Sequence, residues 1–159
     1  SGGGALTISQ RTYGEYAGVI SGTGSFTKSG PASLKLSNTN TYSGNTILSG
    51  GEIILGVSNA LPTTSAVSFT GASTKILMLD ENISQTIASL SSTSGLSSVS
   101  IFGYGGYVND IFTVSQSGNS TFYGDFGGDF TFVKAGGGTL TLPGNRGSAT
   151  VSVTGGAVN

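Results

Sequence analysis

The chain has 159 residues, of which only 8% are charged, and six basic residues against seven acidic ones give a net charge of −1. So few cations argue against nucleic acid as a partner, because proteins hold phosphates with clustered lysine and arginine. Histidine and cysteine are absent, which excludes histidine-dependent nucleophiles, the usual zinc sites and disulfides.

Short runs of alternating apolar and polar residues predict β-strands along the whole chain. A period of two places the apolar side chains of a strand on one face. This pattern occurs in Leu6-Thr7-Ile8, Leu34-Lys35-Leu36, Leu140-Thr141-Leu142 and Val151-Ser152-Val153. The 28 glycines, often paired, predict tight corners between the runs. The apolar residues 76–79 predict a strand buried on both faces, and only in residues 83–90 does a helical turn compete.

The chain contains an internal duplication. Residues 5–36 recur without a gap 106 positions later as residues 111–142, and a one-residue shift extends the similarity to residues 5–53 and 111–158. The identical pairs include Thr7 with Thr113, Gln10 with Gln116, Phe26 with Phe132, Lys28 with Lys134, and Gly30 with Gly136. A repeat of this kind is typical of a solenoid, in which short strands stack into a continuous core.

We therefore predict an all-β fold, a parallel β-helix (β-solenoid). With roughly 20–25 residues in each coil, the chain would form about six or seven coils. A β-sandwich or a jelly roll would also contain many short strands, but neither explains the duplication. Residues 1–4 are expected to be a flexible N-terminal arm, and residues 5–159 a single solenoid domain.

Residues 26–55 resemble the passenger-associated repeat of bacterial autotransporters. The positions that carry the resemblance are Lys28, Gly30, Leu34, Leu36, Asn40, Tyr42, Gly44, Thr46, Gly51, Ile53 and Leu55. The resemblance implies a right-handed parallel β-helix that is displayed on, or shed from, the bacterial surface. We therefore expect an extracellular or cell-surface protein from which a signal peptide has been removed, since the sequence starts at Ser1. No apolar run reaches the roughly 18–20 residues of a membrane span, so no transmembrane segment is predicted.

The first functional hypothesis is a structural protein that assembles head to tail into a filament. Strand patterns extend towards both termini, and a surface with little charge gives little protection against self-association. The residues expected at the contact between subunits are Leu6 and Ile8 at one end, and Val151, Val153 and Val158 at the other. The expected partner is therefore a second copy of the chain.

The second hypothesis is an adhesin that binds glycans or cell surfaces. Residues 102–132 are rich in aromatic side chains, which would fill the core or form an interface, and the binding candidates are Tyr104, Tyr107 and Tyr123. Asn38, Asn40 and Asn45 near Tyr42 favour a polar ladder within stacked strands over a binding platform.

An enzyme is the least favoured hypothesis. Asp80 with Glu81 could form a glycosidase pair, and Asp125 with Asp129 could bind calcium. In a chain with so few charges, the simpler interpretation is that these acids are solvated turn residues. We therefore predict no catalytic, cofactor-binding or metal-binding residues.

Overall fold

The computed structural model describes residues 3–93, 99–104 and 109–159. These residues form 18 strands, all paired in parallel, which wind into a β-solenoid of about 7 turns. The predicted all-β solenoid is therefore confirmed, and no helix occurs in the described ranges. The described residues therefore contain no helix that is long and apolar enough to cross a membrane. The arm predicted for residues 1–4 begins with two residues that lie outside the description.

The solenoid has three faces. Face A carries β1 (Leu6–Ser9), β3 (Phe26–Ser29), β5 (Thr46–Leu48), β7 (Ala66–Phe69), β10 (Ser89–Ser92), β13 (Ser120–Thr121), β16 (Thr139–Thr141) and β18 (Ala157–Val158). Face B carries β2 (Gly14–Tyr16), β4 (Ser33–Leu36), β6 (Gly51–Leu55), β8 (Lys75–Leu79), β11 (Val99–Gly103) and β14 (Asp125–Gly127). Face C carries β9 (Ser84–Ile87), β12 (Ile111–Ser115), β15 (Thr131–Ala135) and β17 (Thr150–Val153).

In the first coils, face C is made of segments without regular secondary structure instead of strands. These segments still bond to their neighbours: Thr41 N donates to Ile20 O at 2.9 Å, and Asn59 N donates to Ser84 O at 3.0 Å. Equivalent positions in successive coils are mostly 19 to 27 residues apart, close to the predicted coil length.

The core is a set of side-chain columns that run parallel to the solenoid axis. Alternate residues of each strand point inward, and the parallel register places them directly above one another. One column on face B contains Leu34, Ile53, Leu77, Ile101 and Phe126, all of them buried. Full burial of each such side chain contributes about 1.5–3 kcal/mol, so a strand that is too short to fold alone is stabilised by its neighbours.

Two local predictions need correction. Residues 83–90, where a helical turn competed, contribute β9 and the beginning of β10. Residues 76–79 do belong to a strand, but only Leu77 and Leu79 are fully buried, while Ile76 and Met78 are half-buried on the outer side. The outer face of a solenoid sheet faces solvent, so an apolar residue there does not become part of the core.

The duplicated segments lie on different faces of the solenoid. In the first copy β3 and β5 lie on face A, whereas the matching strands of the second copy, β15 and β17, lie on face C. The β4 and β6 strands of the first copy lie on face B, and their counterparts β16 and β18 lie on face A. The second copy therefore matches the first in sequence but is rotated by one face around the solenoid axis.

Candidate functional surfaces

Three lysines are buried at the corners of the solenoid. Lys28 Nζ donates to Ser29 O at 2.8 Å, Gly30 O at 3.2 Å and Gly50 O at 3.1 Å. Lys28, Lys75 and Lys134 have no solvent-accessible surface. Gly30 adopts a φ of 78°, which turns its carbonyl inward where an ammonium group can reach it.

The second copy builds the same corner between faces C and A. Lys134 Nζ donates to Ala135 O at 2.5 Å, Gly136 O at 3.1 Å and Gly155 O at 3.4 Å. Gly136 repeats the left-handed conformation with a φ of 74°. Lys28 and Lys134 are a matched pair in the internal duplication, but the sequence pattern assigned them no role. The available signal was a lysine two residues before a repeated glycine in both copies.

These ammonium groups hold carbonyl oxygens together at the corners. Burial lowers the pKa of Lys28, an effect that the negative charge of Glu52 opposes. Burial also lowers the pKa of Lys75 and of Lys134. Lys75 Nζ donates to Gly71 O at 2.7 Å and also to Ser73 O. Each lysine thus supplies several hydrogen bonds to a corner that would otherwise leave carbonyls without donors.

Of the three asparagines for which the sequence favoured a polar ladder, only Asn40 is buried between coils, whereas Asn38 and Asn45 are exposed. Asn40 Oδ1 accepts from Ile20 N at 2.7 Å, and its Nδ2 donates to Ala60 O at 2.7 Å, so that one side chain links three coils. Tyr42 is buried beside it and its hydroxyl lies 2.6 Å from Thr46 Oγ1. Burial raises the pKa of the Tyr42 phenol to about 12. The side chains of this cluster cross-link the coils, and Asn40 and Tyr42 also line a cavity of about 400 Å³.

Asp110 occupies the position on face C that corresponds to Asn40. Its Oδ1 accepts from Ile83 N at 2.7 Å, in the same way as Asn40 Oδ1 accepts from Ile20 N. Its Oδ2 is buried and has no hydrogen-bond partner among the residues that the structure describes. Burial raises the pKa of Asp110, and the negative charges of Asp80 and Glu81 raise it further. The backbone hydrogen bonds from Ile83 and Asn82 lower this pKa and so oppose the shift. Sequence analysis did not single out this carboxyl group.

The other acids do not assemble a site. Asp80 Oδ2 pairs with Lys35 Nζ at 2.8 Å, and Glu81 is exposed. Asp125 and Asp129 are exposed, and Asp125 Oδ1 accepts from Asn145 N at 2.7 Å. In the described ranges, no three acidic side chains are grouped so that they could hold a metal ion.

The five residues predicted at subunit contacts all point into the core at the two outermost coils. Leu6 and Ile8 are in register with the buried Phe26 and Lys28. Val158 is in register with Leu140, while Val151 and Val153 are in register with Phe132 and Lys134. Leu6, Ile8 and Val158 therefore share face A, whereas Val151 and Val153 lie on face C.

Both outermost coils leave inward-facing apolar surface uncovered. Leu6 is 42% exposed and Val153 is 49% exposed, although their partners one coil further in are buried. Tyr13, Tyr16 and Val19 add exposed apolar surface to the first coil. A side chain that points into a solenoid loses its exposure only when a further coil lies on top of it.

The aromatic segment divides between core and surface. Phe112, Phe122, Phe126, Phe130 and Phe132 are buried, and the rings of Phe126 and Phe132 are 4.8 Å apart.

Of the binding candidates, Tyr104 is 51% exposed and Tyr123 is 45% exposed, whereas Tyr107 lies outside the described residues. In the register of β11 and β14, Tyr104 follows the end of β11 whereas Tyr123 precedes the start of β14, so the two lie beyond opposite ends of this strand pair. The structure therefore does not bring these two tyrosines together.

Comparison with known families confirms the resemblance. The family model of the passenger-associated-transport-repeat matches residues 26–55 and residues 132–159. No curated protein and no solved structure matches the chain significantly. The first match spans β3 to β6, and the second spans β15 to β18, so the family pattern coincides with the two lysine corners.

Proposed function

We propose that this chain, which carries two matches to the passenger-associated-transport-repeat, is a structural segment of a secreted or surface-located bacterial β-helix that stacks head to tail with further copies of itself. The repeat is typical of autotransporter passengers, which supports a location outside the cell. The proposal assigns no catalytic reaction, and it names a second copy of the chain as the partner.

The single observation that carries the proposal is the uncovered core at both outermost coils. Leu6 and Val153 point inward and yet remain 42% and 49% exposed. Stacking a second copy would continue the columns that these residues end and would bury them. Complete burial of an aliphatic side chain of this size contributes about 1.5–3 kcal/mol. The two ends differ in sequence, so the contact would be heterologous and would propagate into an open filament.

Face A offers the most direct pairing between copies. It is the face on which both outermost coils carry a described strand, β1 at one end and β18 at the other. Stacking β18 on the β1 of the next copy would extend the parallel sheet and place Val158 over one of the two inward-facing columns that end in Leu6 and Ile8. Unpaired strand edges form such contacts readily, and few charges oppose them here.

Paired substitutions on the edge strands test this proposal. Leu6→Lys places a charge in the core column at one end, and Val158→Lys does the same at the other. We expect each variant to remain monomeric in light scattering, while the unchanged chain forms rods visible by negative-stain microscopy. Thr7→Lys is the matched control, because Thr7 lies on the same strand with its side chain outward. It should assemble like the unchanged chain.

Mixing the two blocked variants gives a sharper result. Each retains one intact end, so an equimolar mixture should form a heterodimer and nothing longer. A chain that stays monomeric at high concentration, or Leu6→Lys rods as long as those of the Thr7→Lys control, would contradict the proposal. A monomer would indicate that further coils of a longer polypeptide cover these ends.

A further inference from the structure

A polar cleft lies where the sheet on face A is interrupted. Sheet pairing runs from β1 to β10, stops, and resumes from β13 to β18. The two segments that flank the interruption, residues 88–92 and 116–121, enclose a cleft of about 690 Å³. This volume lies in the range of ligand pockets, which is roughly 300–1,000 Å³.

Side chains replace the missing backbone pairing at this point. Ser120 Oγ lies 2.7 Å from Leu90 O, and Tyr123 N donates to Ser92 Oγ at 2.8 Å. The coil is unusually long here, since Leu90 and Ser120 are 30 positions apart. These side-chain hydrogen bonds bridge β10 and the β13 region beside the cleft, so a peptide strand has no free edge to join.

Two acceptors at the cleft, Gln116 Oε1 and Leu90 O, share one described hydroxyl donor. Gln116 is 2% exposed, and its Nε2 donates to Gly118 O at 3.1 Å and to Thr139 O at 2.9 Å, which fixes Oε1 as an acceptor. The described donor near Oε1 is Ser120 Oγ at 3.0 Å, which also lies 2.7 Å from Leu90 O. A hydroxyl carries a single hydrogen and cannot donate to both oxygens. The pair therefore requires one more donor from whatever occupies the cleft.

The lining selects the chemistry of the ligand. Among the described residues it consists mainly of serine, threonine, asparagine and glutamine side chains and includes no charged residue. An anion would need a cation in the wall, and a metal ion would need carboxylates. Hydroxyl and amide groups both donate and accept, so they match a ligand covered with hydroxyl groups. We propose that this cleft binds a neutral oligosaccharide, with Ser91, Asn119 and the Gln116–Ser120 pair as the contacting groups.

This inference goes beyond the proposed assembly and does not depend on it, because the cleft lies away from both ends. The test is saturation-transfer NMR and calorimetry with neutral tetrasaccharides of glucose and of N-acetylglucosamine, followed by a broad glycan array. Using the Leu6→Lys variant keeps assembly out of the readout. An acidic tetrasaccharide of galacturonic acid serves as the charge comparison and should bind more weakly.

Substitution of Ser91 locates the site. Ser91→Ala should weaken binding about 2–10-fold, the effect of losing one hydrogen bond. Ser68→Ala is the matched control, because Ser68 is the register partner of Ser91 one coil earlier and does not line the cleft. It should bind like the parent protein. Failure of every neutral glycan to bind, preference for the acidic one, or equal binding by both serine variants would overturn the assignment.

Discussion

Asp110→Asn should stabilise the protein at neutral pH. The change replaces the buried Oδ2, which lacks a described partner, with an amide that can donate. Asn40 shows the geometry at the equivalent position, where Nδ2 donates to Ala60 O in the next coil at 2.7 Å. The register of β12 and β15 places Phe130 O at the position that corresponds to Ala60 O.

The expected gain follows from the cost of the unsatisfied group. A buried acceptor without a donor costs about 1–3 kcal/mol, more when charged. We expect a gain of about 2 kcal/mol at pH 7, which for a chain of this size raises Tm by about 4–8 °C. Asp129→Asn, which removes an exposed carboxylate, is the matched control and should change Tm little.

The pH dependence identifies the cause. The folded-state pKa of Asp110 is raised by burial, so its contribution to stability is complete below about pH 4 and is lost as the pH rises through the raised pKa. The neutral amide shows no such loss. The difference in Tm between Asp110→Asn and the parent should therefore be small near pH 4 and largest at pH 7. A gain that is the same at both pH values, or a loss at pH 7, would refute the reasoning.

The remaining predictions concern the other buried polar groups. Because burial raises the pKa of Tyr42 to about 12, the folded protein should lose about 2–3 kcal/mol between pH 10 and pH 12, and Tyr42→Phe should avoid this loss. Subtracting the ultraviolet phenolate titration of Tyr42→Phe from that of the parent should leave one ionisation near pH 12; one near pH 10 would contradict the burial argument. Lys28→Met should lower the free energy of unfolding by about 2–3 kcal/mol in urea, since Gly30 O and Gly50 O lose their described donor and Ser29 O keeps only Gln10 N. The control Lys35→Met removes a surface pair with Asp80 and should cost less than about 1 kcal/mol; equal losses would show that the corner bonds contribute little. Asn40→Asp, the reverse of Asp110→Asn, should destabilise the protein more at pH 7 than at pH 4, because the new carboxyl group would be charged at pH 7. The same loss of Tm at both pH values in circular-dichroism melts would argue against a buried charge.

Much of the fold could be predicted from the sequence because it depends on local patterns. A period of two in runs such as Leu34-Lys35-Leu36 determines which side chains point inward, and glycines mark the corners. The duplication and the family resemblance identified the solenoid, and its coil length followed from the usual range for such repeats. The tyrosine candidates were less informative, since residue type alone does not reveal that Tyr104 and Tyr123 lie beyond opposite strand ends.

By itself, then, the sequence determined that the chain is a charge-poor, repetitive β-solenoid with apolar strands at both ends. Only the tertiary structure decided which face each strand occupies, because that depends on the summed lengths of all the intervening corners. Those lengths turn the second repeat by one face, carrying Lys134 to a different corner from Lys28. They also place Asp110 in the position of an asparagine and open the cleft between β10 and β13. These features arise from contacts between residues about 20 to 30 positions apart, which no local pattern encodes.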